Sequence, residues 1–227
     1  MEFVWVPGLE LVELREVVLE LKKKTIFQPL VSAIKRSTSV EAALMDLQES
    51  KDLISLIERT VEKGSNDPLA KAAEKAKGAL FKMGVILYAR ATTDGSNSRS
   101  KLLFSSHLSG EDERRHNIIL ALRDKAIAHS DDTEGLEGGY WIREGMRIVQ
   151  TKEDDIQFRF HSSRVNFKAG PVETLSAAIA VAEKVLTVLN KEVGRQAIDL
   201  LMGKLDDAFL KRSLLAHKKG FSGNFDE

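Results

Sequence analysis

The residues best suited to chemistry lie in the segment Arg123-Asp124-Lys-Ala-Ile-Ala-His129. Histidine can give or accept a proton near neutral pH. Arginine can hold a non-bridging phosphate oxygen and stabilise the negative charge that grows in the transition state. RNA cleavage needs little more, because the substrate's own 2′-hydroxyl can act as the nucleophile. The segment could therefore support phosphodiester chemistry without a metal ion.

Other kinds of site find little support in the sequence. The chain has no cysteine, which excludes disulfides, thiolate metal ligands and cysteine nucleophiles. Histidines and carboxylates do not recur at metal-binding spacings on one predicted helix, and no glycine-rich phosphate loop is present. We therefore expect neither a bound metal nor a cofactor. The Arg–His spacing recurs at Arg212 and His217, where the surrounding sequence gives it no weight.

Composition and charge limit the possible partners and the location of the protein. The 227 residues include 34 basic and 34 acidic side chains, so RNA would have to bind a local patch. The longest nearly apolar run, Leu175 to Ala182, is far shorter than the roughly 20 residues of a membrane span. The apolar start, Met1 to Gly8, is too short for a signal peptide. We expect a cytoplasmic protein without a membrane segment.

Helical periodicity dominates the elements that must position the motif. Apolar residues recur every three or four positions in stretches of about 11–21, 39–62, 68–91, 109–129 and 171–217. Pro29 is expected to break or kink the chain after the first stretch, and Ser39 to open the second. Pro68 suits a first helical position, and Ser109 resembles the N-cap of a capping box. The motif therefore lies at the end of a helix.

The last long helix carries the clearest core pattern. Its apolar residues step by four and three positions, as helices packed against other helices require: Leu175, Ile179, Ala182, Leu186, Leu189 and Val193. Before it, alternating polar and apolar residues predict a hairpin over about 140–163. The sequence thus predicts a mainly α fold, a helical bundle with a small β-hairpin inserted before the last long helix. We divide it into an N-terminal helical extension (1–66), the bundle (67–217) and a tail (218–227).

The motif and its setting resemble those of HEPN-type ribonucleases. HEPN proteins carry an arginine, four to six residues and a histidine, with a polar residue after the arginine, as in Arg123-Asp124…His129. Tyr88 and Arg90, before a polar loop, are similar to residues in members linked to abortive infection and phage defence. The resemblance covers roughly residues 67–190 and implies a HEPN-like helical bundle.

The resemblance also implies an activity and roles for these residues. The expected activity is that of a metal-independent endoribonuclease of a toxin–antitoxin or abortive-infection system, acting on single-stranded RNA. His129 would move protons, Arg123 would stabilise the phosphate and Asp124 would orient one of them. Tyr88 and Arg90 would support the motif. A cognate antitoxin protein is an expected partner.

Helix geometry separates the two principal motif residues. Six residues along a regular α-helix correspond to about 120° around its axis, so Arg123 and His129 do not share a face. Either the helix ends at His129, or two copies pair so that the arginine of one meets the histidine of the other. We expect a homodimer with paired motif helices. His116 lies seven positions before Arg123, shares its face and is an additional candidate.

Two alternatives to a nuclease remain open on sequence grounds. The first is a catalytically inactive HEPN-like interaction module that binds a protein partner or a nucleotide. The second is an assembly protein in which the last long helix forms the dimer seam. In both, Arg123 would pair with an acid, and His129 would form a hydrogen bond at the helix end. An exposed His129 beside a basic groove would favour the nuclease.

Overall fold

The computed structural model describes residues 14–61, 68–93, 100, 102–128, 142–152, 155–164 and 169–217. The chain is mainly helical over these residues, as the sequence predicted. The α-helices are α1 (Leu14–Leu21), α2 (Gln28–Val61), α3 (Pro68–Thr92), α4 (Gly110–Leu122), α5 (Ala169–Met202) and α6 (Ala208–Ala216). Short 3₁₀ turns span Thr25–Phe27 and Phe104–His107. A π-helical segment, Arg123–Ala128, follows α4 directly.

Helix α2 includes both Pro29 and Ser39. The predictions that Pro29 interrupts the helical chain and that Ser39 opens a new helix are therefore wrong. Pro29 is the second residue of α2, and the first turn of a helix has no backbone acceptor for the amide that proline lacks. Ser39 lies inside the helix, where its hydroxyl donates a hydrogen bond of 2.8 Å to the carbonyl of Lys35. One uninterrupted helix therefore runs from Gln28 to Val61.

The starts of α3 and α4 fall where the sequence placed them. Helix α3 begins at Pro68, and Ser109 is the N-cap residue of α4. The Ser109 side chain nevertheless makes no capping hydrogen bond, so the predicted capping box is wrong. Gly110 follows with φ of 55°, a left-handed conformation that glycine adopts without steric cost.

Two strands lie between the π-helical segment and α5. They are β1 (Ile142–Lys152) and β2 (Asp155–Arg164), and they pair in antiparallel register, with Ile148 opposite Phe158. The register shifts between Gln150 and Lys152, next to the connection. The sequence pattern placed a hairpin over about 140–163.

Described residues 169–217 form two helices, where the sequence allowed one continuous helix to about His217. Helix α5 passes through Gly194 and ends at Met202. Asp207 then caps α6, because its carboxylate accepts hydrogen bonds from the amides of Phe209 and Leu210 at 2.8 and 3.1 Å. The predicted apolar seam of α5 is confirmed, since all six of its residues are buried.

The chain divides into two compact units. Unit 1 comprises the described residues within 1–41, 95–102 and 187–227, and unit 2 those within 42–94 and 103–186. Helices α2 and α5 each contribute residues to both units. The boundaries of the two units therefore differ from the boundary at residue 66 that we drew from the sequence. The core of unit 1 joins α1, the start of α2 and α6 through Val17, Val18, Leu21, Phe27, Leu30, Val31, Leu210 and Leu214. Large buried side chains of unit 2 include Phe81, Tyr88, Phe104, Ile119, Leu175, Ile179 and Leu186.

Candidate functional site

The first two motif residues form an ion pair at the start of the π-helical segment. The Nε of Arg123 donates to Oδ1 of Asp124 at 2.7 Å, and a second guanidinium nitrogen lies close to the same oxygen. The Arg123 side chain is 32% exposed, so its guanidinium reaches solvent while it is held. Because a guanidinium has five N–H donors, others stay available for a bound oxyanion.

The helix that carries the motif is not a regular α-helix throughout. After Leu122 the backbone changes to π-helical geometry, with hydrogen bonds to the fifth preceding residue, and keeps it to Ala128. The predicted 120° separation assumed an α-helix up to His129, so that argument does not hold for this segment. The segment contacts both α3 and α4 within unit 2. His129 itself lies outside the described residues.

Two of the supporting candidates, Tyr88 and His116, come together in the core of unit 2. The Tyr88 hydroxyl lies 3.0 Å from Nδ1 of His116, and their exposed fractions are 1% and 3%. The ring of Phe104 packs edge-on against the imidazole, with 5.3 Å between centroids. Sequence reasoning missed Phe104, because a phenylalanine in a short loop segment carries no distinguishing pattern.

Burial sets the protonation of this pair. Removal from water raises the pKa of the Tyr88 hydroxyl, and the negative charge of Asp112 raises it further. Burial lowers the pKa of His116, and the nearby Glu113 opposes this more weakly. Both side chains are therefore neutral at pH 7. His116 joins α4 to α3 and, at 3% exposure, does not lie at the surface beside Arg123.

Arg90, the third supporting candidate, pairs with Asp46 of α2. Its Nε donates to Oδ2 of Asp46 at 2.8 Å, and a terminal nitrogen donates to the other carboxylate oxygen. This pairing raises the pKa of Arg90. The Asp46 side chain is only 7% exposed, so the two-pronged contact supplies the partner that a buried carboxylate requires. Sequence reasoning missed Asp46, although it directly precedes Leu47, an apolar residue that is fully buried in the structure.

The second Arg–His spacing lies in unit 1 and has a different role. His217 follows α6, and its Nε2 lies 3.2 Å from Oε1 of Glu20 in α1. The nearby side chains of Ser213 and His217 lower the pKa of Glu20. These contacts join α6 to α1.

Two negative findings concern the residues that the structure describes. No group of histidine, cysteine, aspartate and glutamate within that part of the chain could hold a metal ion. None of the helices described there is long and apolar enough to cross a membrane.

Comparison with models of known protein families, with curated proteins and with solved structures finds no match for this chain. The resemblance to HEPN ribonucleases over residues 67–190 therefore stays a prediction from the sequence.

Proposed function

We propose that this protein is a HEPN-like, metal-independent endoribonuclease of a prokaryotic or phage conflict system, of the toxin or abortive-infection type. The observation that carries the proposal is the Arg123–Asp124 pair. It holds a partly exposed guanidinium in place, six residues before the motif histidine. Its position in a π-helical segment adds support, because such segments are frequent at functional sites.

In the proposed mechanism the RNA supplies the nucleophile. The 2′-hydroxyl attacks the adjacent phosphorus, its proton passes to a base, and the 5′-oxygen leaves with a proton, which gives a 2′,3′-cyclic phosphate end. Arg123 binds a non-bridging oxygen and stabilises the charge that accumulates on the phosphate. Asp124 fixes the guanidinium, and His129 moves the protons. No step uses a metal or a cofactor.

The supporting residues act on the scaffold in this proposal. Tyr88 and His116 join α3 to α4, and the π-helical segment contacts both of these helices. Arg90 ties the end of α3 to Asp46 of α2. A change at any of them would move the segment that carries Arg123.

Assembly and partners form part of the same proposal. The active form is a homodimer in which the motif helices of two copies face each other, so that Arg123 and His129 of different copies meet on one RNA. A cognate antitoxin protein would cover the motif. The protein acts in the cytoplasm.

One observation favours a second function, that of a catalytically inactive interaction module for a protein or a nucleotide. The guanidinium of Arg123 already has an acidic partner, and His116 is buried with Tyr88. Both contacts would serve a structural role equally well. Activity measurements separate the two functions directly.

The decisive experiment measures cleavage of single-stranded RNA by the purified protein in the presence of EDTA. Arg123→Ala and His129→Ala should each lower the rate by roughly a hundredfold, the scale expected for losing a charge-stabilising or a proton-transfer group. Arg114→Ala is the matched control, because it removes an exposed arginine that pairs with Glu111 on α4. It should leave the rate unchanged, DNA should resist, and the RNA products should end in 2′,3′-cyclic phosphates.

Two results would reject the proposed ribonuclease function. If neither motif variant changed a reproducible activity, that activity would belong to another site or to a contaminant. If the wild-type protein cut no RNA yet bound a protein partner through Arg123, the interaction module would be the better account. A different outcome would keep the nuclease but correct its site. If His217→Ala abolished cleavage and His129→Ala did not, the catalytic histidine would be His217.

A further inference from the structure

Three consecutive lysines lie in the turn between α1 and α2, and hydrogen bonds fix their backbone. The amides of Lys22, Lys23 and Lys24 donate to carbonyls three or four residues earlier, at 3.0 to 3.1 Å. The side-chain amide of Gln28 donates to the carbonyl of Lys22 at 3.0 Å. All three lysines are exposed. The turn therefore presents three positive charges from a fixed backbone.

A fourth lysine brings a like charge to the same place. Electrostatic repulsion from Lys22 lowers the pKa of the exposed Lys35. In the described part of the chain neither of them forms an ion pair with an acid. By contrast, Lys51 pairs with Glu183 at 2.9 Å. A bound anion between Lys22 and Lys35 would relieve their repulsion.

An aromatic ring adjoins this group. The Nζ of Lys24 lies 3.9 Å from the ring centroid of Phe209, and that ring stacks on Phe27 at 5.9 Å. Phe209 is half-buried, so part of the side chain faces solvent. Positive charges beside an aromatic side chain are typical of surfaces that bind single-stranded nucleic acids.

We propose that this lysine cluster (Lys22, Lys23, Lys24 and Lys35) binds the phosphodiester backbone of single-stranded RNA. The inference rests on the proposed ribonuclease function, for which it supplies a substrate-binding surface within unit 1. A chain with equal numbers of acidic and basic residues has no overall field to attract RNA, so a local cluster must provide it. Phosphate contacts of this kind position the substrate and do not read its sequence.

The test measures binding of a fluorescent 2′-O-methyl RNA to the full-length protein by anisotropy, over a series of salt concentrations. Such an RNA lacks the nucleophilic hydroxyl, so binding is observed without cleavage. The double variant Lys22→Gln/Lys35→Gln removes two phosphate contacts. It should lower the slope of log affinity against log salt by about 1.4, which weakens binding roughly 25-fold near ~0.1 M salt. Lys184→Gln/Lys191→Gln removes two exposed lysines of α5 and should change affinity less than twofold.

Stability distinguishes a binding role from a structural one. Because Lys22 repels Lys35, Lys22→Gln should not lower the melting temperature of the free protein, whereas a structural lysine would. The inference is overturned if both double variants weaken binding equally, or if the wild-type protein binds no RNA. It is also overturned if the cluster is needed only for phosphatidylserine-containing vesicles. RNA binding that depends on the cluster, without any cleavage of ordinary RNA, would reject the nuclease while supporting the cluster.

Discussion

Replacing Tyr88 by phenylalanine tests whether the buried Tyr88–His116 hydrogen bond holds α3 against α4. The change removes only the hydroxyl, so Nδ1 of His116 loses its partner at 3% exposure. An unsatisfied buried polar group costs about 1–3 kcal/mol, so the free energy of unfolding should fall by that amount. Helical circular dichroism during urea unfolding gives this free energy directly.

The double variant Tyr88→Phe/His116→Leu is the internal control. When apolar groups of similar shape replace both partners, no unsatisfied atom is left, and most of the lost stability should return. His116→Leu alone should cost as much as Tyr88→Phe, because it leaves the buried hydroxyl unpaired. The three free energies form a cycle whose interaction term isolates the hydrogen bond. An interaction term near zero would refute the reasoning.

The same histidine makes a prediction about pH. Burial lowers the pKa of His116 in the folded state below its ordinary value of 6.5, so the unfolded chain binds the proton more readily. Stability is therefore fully present above pH 6.5 and is lost as pH falls from there towards the folded pKa. The loss can reach about 1.4 kcal/mol per pH unit. Urea titrations between pH 7.5 and 5.5 should show it in the wild type, and His116→Leu should abolish this contribution.

Two further changes test the helices. Gly194→Ala should raise the free energy of unfolding by about 0.5–1 kcal/mol. Gly194 lies inside α5, and an added Cβ would meet nothing within 4 Å. Unchanged or lowered stability in urea unfolding would contradict this prediction. Asp207→Ala should lower the free energy of unfolding by about 1 kcal/mol through loss of the α6 cap. Asp206→Ala removes an exposed acid whose only recorded partner among the described residues is the exposed Lys211 at 3.5 Å, and it should have little effect. Equal effects of the two aspartates would show that charge and not capping is responsible.

Regular periodicity was the most dependable guide to the fold. The α5 seam and the start of α3 at Pro68 were predictable, because core-facing residues must recur at helical spacing and proline tolerates a first turn. Pro29 was ambiguous for the same reason, since a first-turn proline and a helix-breaking proline look alike in sequence. The end of α5 at Met202 and the start of α6 after the Asp207 cap were concealed by a nearly continuous helical pattern.

The geometry of the candidate site could not be predicted from the sequence. Tyr88 and His116 were selected as supporting residues, yet their pairing depends on how α3 meets α4, which sequence spacing does not encode. The π-helical geometry of the motif also has no recognised sequence pattern. Asp46 lies 44 positions before its partner Arg90, and only the packed helices bring the two together.

The composition of unit 1 has a consequence for the order in which the protein folds during synthesis. Helix α1 packs against α6, so Val18 and Leu214 share a core although almost the whole described chain separates them. The ribosome releases the residues of unit 2 before it has synthesised α6. Until then, the apolar face of α1 lacks the helix against which it packs in the folded protein. Closing so long a loop also slows the encounter. Unit 1 is therefore completed only after α6 has been synthesised.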